Sequence, residues 1–260
     1  MKNQPKTLEE HREYLYRIVR LKLFFLHKLL KETPELTFAD ALENRVDIFR
    51  KTDLNPEALN PTGYYFDTPY WAEFRDALEA IWQQSRTAAE FEENGFEFIK
   101  PRLDARCVRD YRDRSATAWN QCGFLRHNFV LTPGTKRLTF HISNDKQPDS
   151  FFDYPEYIKE CFLKLLDRAE NMGAVELYTD TWLNSYSKWL AIFPDEWQKN
   201  LSEENRDVRW HFGFWGQFIN SRGCFNYALG NYLRETGHFR FYPRHSFCST
   251  ASLRKKIESM

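Results

Sequence analysis

The sequence predicts an α/β protein in which a helical N-terminal region (residues 1–118) leads into a mixed sheet with flanking helices and a C-terminal helical tail (residues 119–260). Two observations carry this expectation. Apolar residues recur at helical spacing up to about residue 113 and switch to an alternating period after Gly123. A strand-like run at 137–143, a helical run at 154–172 and a strand-like run at 174–180 then follow in the order of a βαβ unit, whose two strands are parallel and close together.

Taken in order, Thr7 with Glu10 three positions on is a capping box. Leu15, Ile18, Val19, Leu26, Leu29 and Leu30 then form the stripe of a long first helix that stops near Thr33-Pro34. Thr37 caps a second helix reaching about Arg50. Thr68-Pro69 opens a third, with Phe74, Leu78, Ile81 and Trp82 on one stripe, and Asn94-Gly95 ends that region. Residues 97–113 read as one more helix. Beyond Gly123, Phe124–Leu131 and Arg137–Ser143 are strands joined by the turn Thr132-Pro133-Gly134-Thr135, with Leu138, Phe140 and Ile142 on one face. Asp153 and Glu156, with Pro155 between them, open a helix striped by Ile158, Phe162, Leu165, Leu166 and Ala169 and closed by Asn171-Met172-Gly173. A strand at Ala174–Thr179, a helix at Ser187–Leu201, an aromatic strand at Val208–Phe218, a helix at Cys224–Glu235 and a short strand near Phe239–Tyr242 complete the pattern. There is no internal repeat, low-complexity tract or linker.

Composition narrows the function classes. Lys plus Arg and Asp plus Glu are both 37, so no long-range field gathers nucleic acid or an anionic membrane, and a general nucleic-acid binder is excluded. Polar Met1–Glu10 lacks the order of a signal peptide, and no window approaches the ~18 uninterrupted apolar residues of a membrane span. A cytoplasmic location without membrane attachment is expected. The five cysteines are scattered and form no C-x-x-C pair, which fits reduced thiols in a reducing compartment. Aromatic residues make up 17% of the chain against only 10 Gly, a composition for a bulky core with few points of close backbone approach to phosphates.

On the two parallel strands, the face opposite Leu138, Phe140 and Ile142 carries Thr139, His141 and Ser143 from one strand and Glu176, Tyr178 and Asp180 from the other. Ligands of open α/β sheets bind beyond the carboxyl ends of the strands, which adds Asn144, Asp145, Trp182, Asn184 and Ser185. An imidazole there can take a proton from an amine near neutral pH, and a phenol can return one to a leaving thiolate. The plainer alternative is that His141, Glu176 and Tyr178 satisfy one another beneath a second layer of helices. Aromatic density from Trp210 to Phe247, interleaved with Arg209, Arg222, Arg240, Arg244 and His245, reads as core or as the lining of a pocket. No G-x-S-x-G, Walker A or H-E-x-x-H motif is present. His127, His141 and His211 with a carboxylate offer a route to a metal site, should their strands adjoin.

The most distinctive local pattern is Asp180-Thr181-Trp182-Leu183-Asn184-Ser185 followed by Phe193-Pro194-Asp195-Glu196-Trp197. Together with the Leu138–Ile142 strand, Trp215-Gly216-Gln217-Phe218, Gly223 and Leu233-Arg234-Glu235-Thr236-Gly237, it resembles the C-terminal half of bacterial GNAT-like acyltransferase-fold proteins that carry a helical N-terminal domain. The resemblance spans about residues 125–245. It implies a reaction class, transfer of an acyl or aminoacyl group from acyl-CoA to an amine on a small molecule or peptide, for which the strand face described above offers His141 or Glu176 as base and Tyr178 as acid. The chain departs from that family where the pyrophosphate binds, a Q/R-x-x-G-x-G/A loop entering a helix N-terminus. Here Asn144–Ser150 contains no glycine and is followed by Asp153 and Glu156, so Asp145, Asp149 and Asp153 are expected to repel CoA and favour a cationic group. The rival readings are a non-catalytic binding protein on this fold and a metal-dependent oxidoreductase.

Overall fold

The capping box forms: Thr7 Oγ1 accepts from the Glu10 N–H at 3.1 Å and Glu10 Oε2 accepts from the Thr7 N–H at 2.8 Å. From it grows helix α1 (Leu8–Glu32), ending at Thr33 just before Pro34, in a computed structural model that describes residues 4–55, 68–113 and 115–260. Helix α2 (Phe38–Asp40), capped by Thr37, passes into a π-helical turn at Ala41–Val46. The helix expected to reach Arg50 breaks at Asp47, whose φ of 49° lies in the left-handed region. Helix α3 (Pro69–Gln84) begins at Thr68-Pro69 as the sequence predicts. Helix α4 (Ala88–Arg112) runs straight through Asn94-Gly95, which therefore ends nothing. Gly95 faces Leu23 on α1 and Leu78 on α3, and a Cβ there would reach both side chains at 3.4 Å, in van der Waals contact. Helix α5 (Ser115–Ala118) leads to the sheet.

Strands β1 (Leu125–His127) and β2 (Arg137–Ile142) pair antiparallel. Helix α6 (Pro155–Asn171) then carries the chain to β3 (Glu176–Thr181), which pairs parallel with β2, so the predicted βαβ unit forms. Short helices α7 (Ser187–Leu190) and α8 (Asp195–Lys199) replace the single helix expected at 187–201, because Pro194 cannot continue one. The expected strand at 208–218 is helical: α9 (Phe212–Trp215) and a 3₁₀ turn at Gly216–Phe218 bury Phe214, Trp215 and Phe218, a helical spacing. Helix α10 (Tyr227–Thr236) follows, and the last strand is β4 (Arg244–Ser249) rather than 239–242. It pairs antiparallel with β3, giving a four-stranded sheet of order β1-β2-β3-β4, before helix α11 (Thr250–Glu258) closes the chain. The protein is thus an α/β fold with a mixed sheet and flanking helices.

Two apolar cores hold it together. The first joins α1, α3 and α4 with residues of the Val208–Tyr242 stretch, and so draws on both sides of residue 118. Phe25 on α1 meets Trp215 and Phe239 edge-on at 5.7 and 5.3 Å. The second lies under one face of the sheet, where Phe140 packs with Phe162, Trp189 and Trp197. Both sheet edges are occupied from within the chain. Along β1, the Gln121 side-chain amide accepts from the His127 N–H at 2.9 Å and donates to its carbonyl at 3.2 Å, while Leu125 exchanges backbone hydrogen bonds with Cys122. Along β4, the His245 carbonyl accepts from the Ser202 N–H, the Phe247 carbonyl from Asn200 Nδ2, and the Ser249 N–H donates to Glu196 Oε1.

Gly123 marks the turn into β1 at a φ of 65°, and a Cβ there would overlap Cys161 Sγ and the Tyr157 hydroxyl. Gly123→Ala is expected to destabilise the fold by at least about 2 kcal/mol, from left-handed backbone strain and overpacking together. A denaturation midpoint unchanged from wild type would contradict this.

Candidate functional site

The β2–β3 ladder runs only from Arg137↔Glu176 to Thr139↔Tyr178. Yet β2 continues to Ile142 beside β1, and β3 continues to Thr181 beside β4. Each strand keeps its outer neighbour while the inner pairing ends, so the parallel junction parts toward its carboxyl end. The side chains of Leu138, Phe140 and Leu177 turn to the second core. Arg126, Thr139, His141, Glu176, Tyr178, Asp180, His245 and Phe247 alternate onto the opposite face.

His141 stands directly across the ladder from Arg126, and its Nε2 lies 3.0 Å from Asn128 Oδ1. With that oxygen as acceptor Nε2 carries the proton, and Nδ1 keeps a lone pair. Burial, and then the Arg126 charge, pull the His141 pKa below its ordinary value, so the ring is neutral at neutral pH. Tyr178 is stacked on His245 with ring centroids 5.9 Å apart, and the Arg137 guanidinium sits 5.4 Å from its ring. Burial, reinforced by Asp180, raises its pKa and keeps the phenol protonated. Glu176 is held by Arg137, whose Nε and Nη2 reach Oε2 at 3.0 and 2.8 Å. Of the two bases expected on this strand face, His141 is the one with a free lone pair.

Asp180 is exposed at the end of β3, and its charge reaches His211. Nδ1 of His211 accepts from the Gly213 N–H at 3.1 Å, which leaves the proton on Nε2. Burial lowers the His211 pKa, with Asp180 opposing and Arg50 assisting. Sequence reasoning assigned His211 to a strand and gave it only a conditional metal role, because the sequence offers no sign that it caps a single-turn helix against β3.

The remaining predicted residues hold loops. Asn184 is fully buried: Nδ2 donates to the carbonyls of Thr179 (3.1 Å) and Arg244 (2.7 Å), and Oδ1 accepts from the indoles of Trp189 (3.0 Å) and Trp197 (3.3 Å). Ser185 Oγ donates to the Tyr242 carbonyl at 2.7 Å. Asn144 Nδ2 bridges the carbonyls of Asp149 (2.8 Å) and Ser221 (3.3 Å). Trp182 is half-buried against Tyr186 and Phe241. In the acidic loop, Asp145 accepts from the Tyr157 hydroxyl, Asp149 from the Tyr154 hydroxyl at 2.7 Å, and the Lys146 ammonium lies 3.6 Å from the Tyr157 ring centroid. Two of its carboxylates therefore face hydroxyl donors, and a cation stands beside them.

His141 also borders a groove of about 440 Å³ at the β1 edge, a feature the sequence reading missed. Arg126, His127, Asn128 and Gln121 line it with Trp119, Phe129 and Val130, whose exposures of 62%, 75% and 71% offer apolar surface at its border. The signal in the sequence was slight: Phe129 and Val130 read there as ordinary strand residues. Among the described residues no three His, Cys, Asp or Glu side chains are grouped to hold a metal ion. Nor is any helix among them long and apolar enough to cross a membrane. Half of the Phe, Tyr and Trp residues of the 210–247 stretch, including Trp215, Phe218, Phe239 and Tyr242, belong to the first core. No protein-family model matches this chain, and no curated protein and no solved structure matches it either.

Proposed function

We propose that this protein transfers an acyl group from a thioester to an amine of a small molecule or peptide, with His141 as base and Tyr178 as acid. The observation that most supports this reading is the early end of β2–β3 pairing beside His141, since a parted parallel junction lets an extended thioester lie between the strands. The amine nitrogen attacks the carbonyl carbon and its proton passes to His141 Nδ1. The C–S bond then breaks, and the thiolate takes the phenolic proton of Tyr178. With no glycine loop to hold a pyrophosphate, the thioester itself rather than the nucleotide of CoA is the recognised part of the donor.

Purified protein is to be incubated with an amine panel and either acetyl-CoA or a short phosphate-free acetyl thioester, with products read by mass spectrometry. Amide formation is expected with the short thioester. His141→Gln should lower kcat/KM roughly a hundredfold, and Tyr178→Phe roughly tenfold. Because only the unprotonated imidazole accepts a proton, kcat/KM expressed per free-base amine should level off above the ordinary imidazole range and fall as the pH drops through the depressed pKa of His141. Absence of product with both donors, or a His141→Gln variant of undiminished rate, would sink the proposal.

A second reading, a binding protein without catalysis, is favoured by the internal engagement of Asn144, Asp145, Glu176, Asn184 and Ser185. Saturable ligand binding with no turnover would select it.

A further inference from the structure

We infer that the groove beside His141 takes an α-amino acid with an aromatic or large apolar side chain, which is then the acyl acceptor; this rests on the acyl-transfer reading above. The lining contains no Asp or Glu, and its one fixed charge is the Arg126 guanidinium. Among the described residues no carboxylate pairs with Arg126, so its planar fork of N–H donors is open to a ligand carboxylate.

An acceptor and a buried ring stand close by. Nδ1 of His141 has its lone pair free, as above. His127 is buried at 6% exposure, and its Nδ1 lies 2.8 Å from the Asn128 carbonyl oxygen, which fixes the proton there. Its Nε2 has no hydrogen-bond partner among the described residues but is itself closed off from solvent, so the ring serves as wall of the groove and not as a ligand contact. One guanidinium and the His141 lone pair match a carboxylate and an amine on neighbouring atoms. Trp119, Phe129 and Val130 supply apolar and aromatic surface for the side chain. A volume of about 440 Å³ suits such a molecule, and small-molecule sites of roughly 300–1,000 Å³ are usual.

Calorimetry on the full chain tests this with L-phenylalanine, L-phenylalaninamide, glycine and a tetrapeptide ending in phenylalanine. L-Phenylalanine is expected to bind saturably, with Kd at or below about 1 mM. The amide should bind at least about tenfold more weakly, because it cannot form the guanidinium–carboxylate pair, and glycine should be weaker still. Arg126→Gln should reduce L-phenylalanine to the level of the amide, and Trp119→Ala should weaken it several-fold, to about a fifth. No saturable binding, equal affinity for acid and amide, indifference to Arg126→Gln, or tighter binding of the tetrapeptide would each overturn the inference. Binding of L-phenylalanine without acylation removes the acyl-transfer reading and leaves the groove's ligand class standing. Acylation of amines regardless of a carboxylate does the reverse.

Discussion

Asn184→Ala is expected to lower the unfolding temperature by roughly 10 °C. The wild-type amide uses both donors and both acceptor positions inside a fully buried site between β3, β4 and two tryptophans. Truncation strands two indole N–H groups and removes a donor from two carbonyls. Each orphaned buried group costs about 1–3 kcal/mol, and partial relaxation brings the sum to roughly 4 kcal/mol. At about 2–4 °C per kcal/mol for a chain of this size, a shift of that order follows. Asn184→Asp should be damaging too, because a carboxylate cannot donate to the Thr179 and Arg244 carbonyls. Thermal melts of the two variants decide the matter. A fall below about 3 °C for both would mean that Asn184 is not the junction that its contacts describe.

Asp110→Asn should destabilise the protein by about 3–5 kcal/mol, because it removes the counter-charge of a buried cluster. His11 Nε2 stands 3.0 Å from Asp110 Oδ2, close in distance but poorly aligned for a hydrogen bond, and Lys51 Nζ stands 3.5 Å from the same oxygen. Burial opposes the carboxylate, yet Lys51, then His11 and Arg106, hold its pKa well below the ordinary range. A depressed carboxyl pKa contributes stability that is present above the unfolded value of 3.8 and is lost as pH falls through the folded one. The gap between wild type and variant should therefore be full at pH 7 and narrow on acidification below the ordinary carboxylate range. Denaturant midpoints across pH measure it. Coincident midpoints at pH 7, or a gap that ignores pH, would refute the role.

How much of this was legible in the sequence depended on whether the chemistry was local. Thr7 with Glu10, Thr68-Pro69, and the alternation of Leu138 and Phe140 announce their elements through neighbours a few residues away, and these formed as expected. Strand β4 escaped notice because its buried face is Ser246 and Cys248 while His245 and Phe247 point outward, which inverts the pattern that marks a strand. The Trp210–Phe218 run misled for a related reason: with aromatics at nearly every position, period 2 and period 3.6 fit equally well. At the site, His141 and Tyr178 were visible from strand alternation, since parity alone assigns them to one face. The engagement of Asn184 was not, because its partners lie up to 60 residues away. The groove was invisible for the same cause: Trp119 and His141 come together only once β1 has paired with β2.

The occupied borders of the sheet decide how this protein can meet other chains. A second copy approaching either margin finds the Gln121 amide or the Glu196–Ser202 segment already bonded to the strand, not a continuous row of open N–H and C=O groups. Fibril growth, which needs such a row as its first template, has no foothold at either margin of the native sheet. Self-association through backbone pairing then requires that β1 or β4 first be stripped of these internal partners, so polymerisation should track local unfolding rather than protein concentration alone.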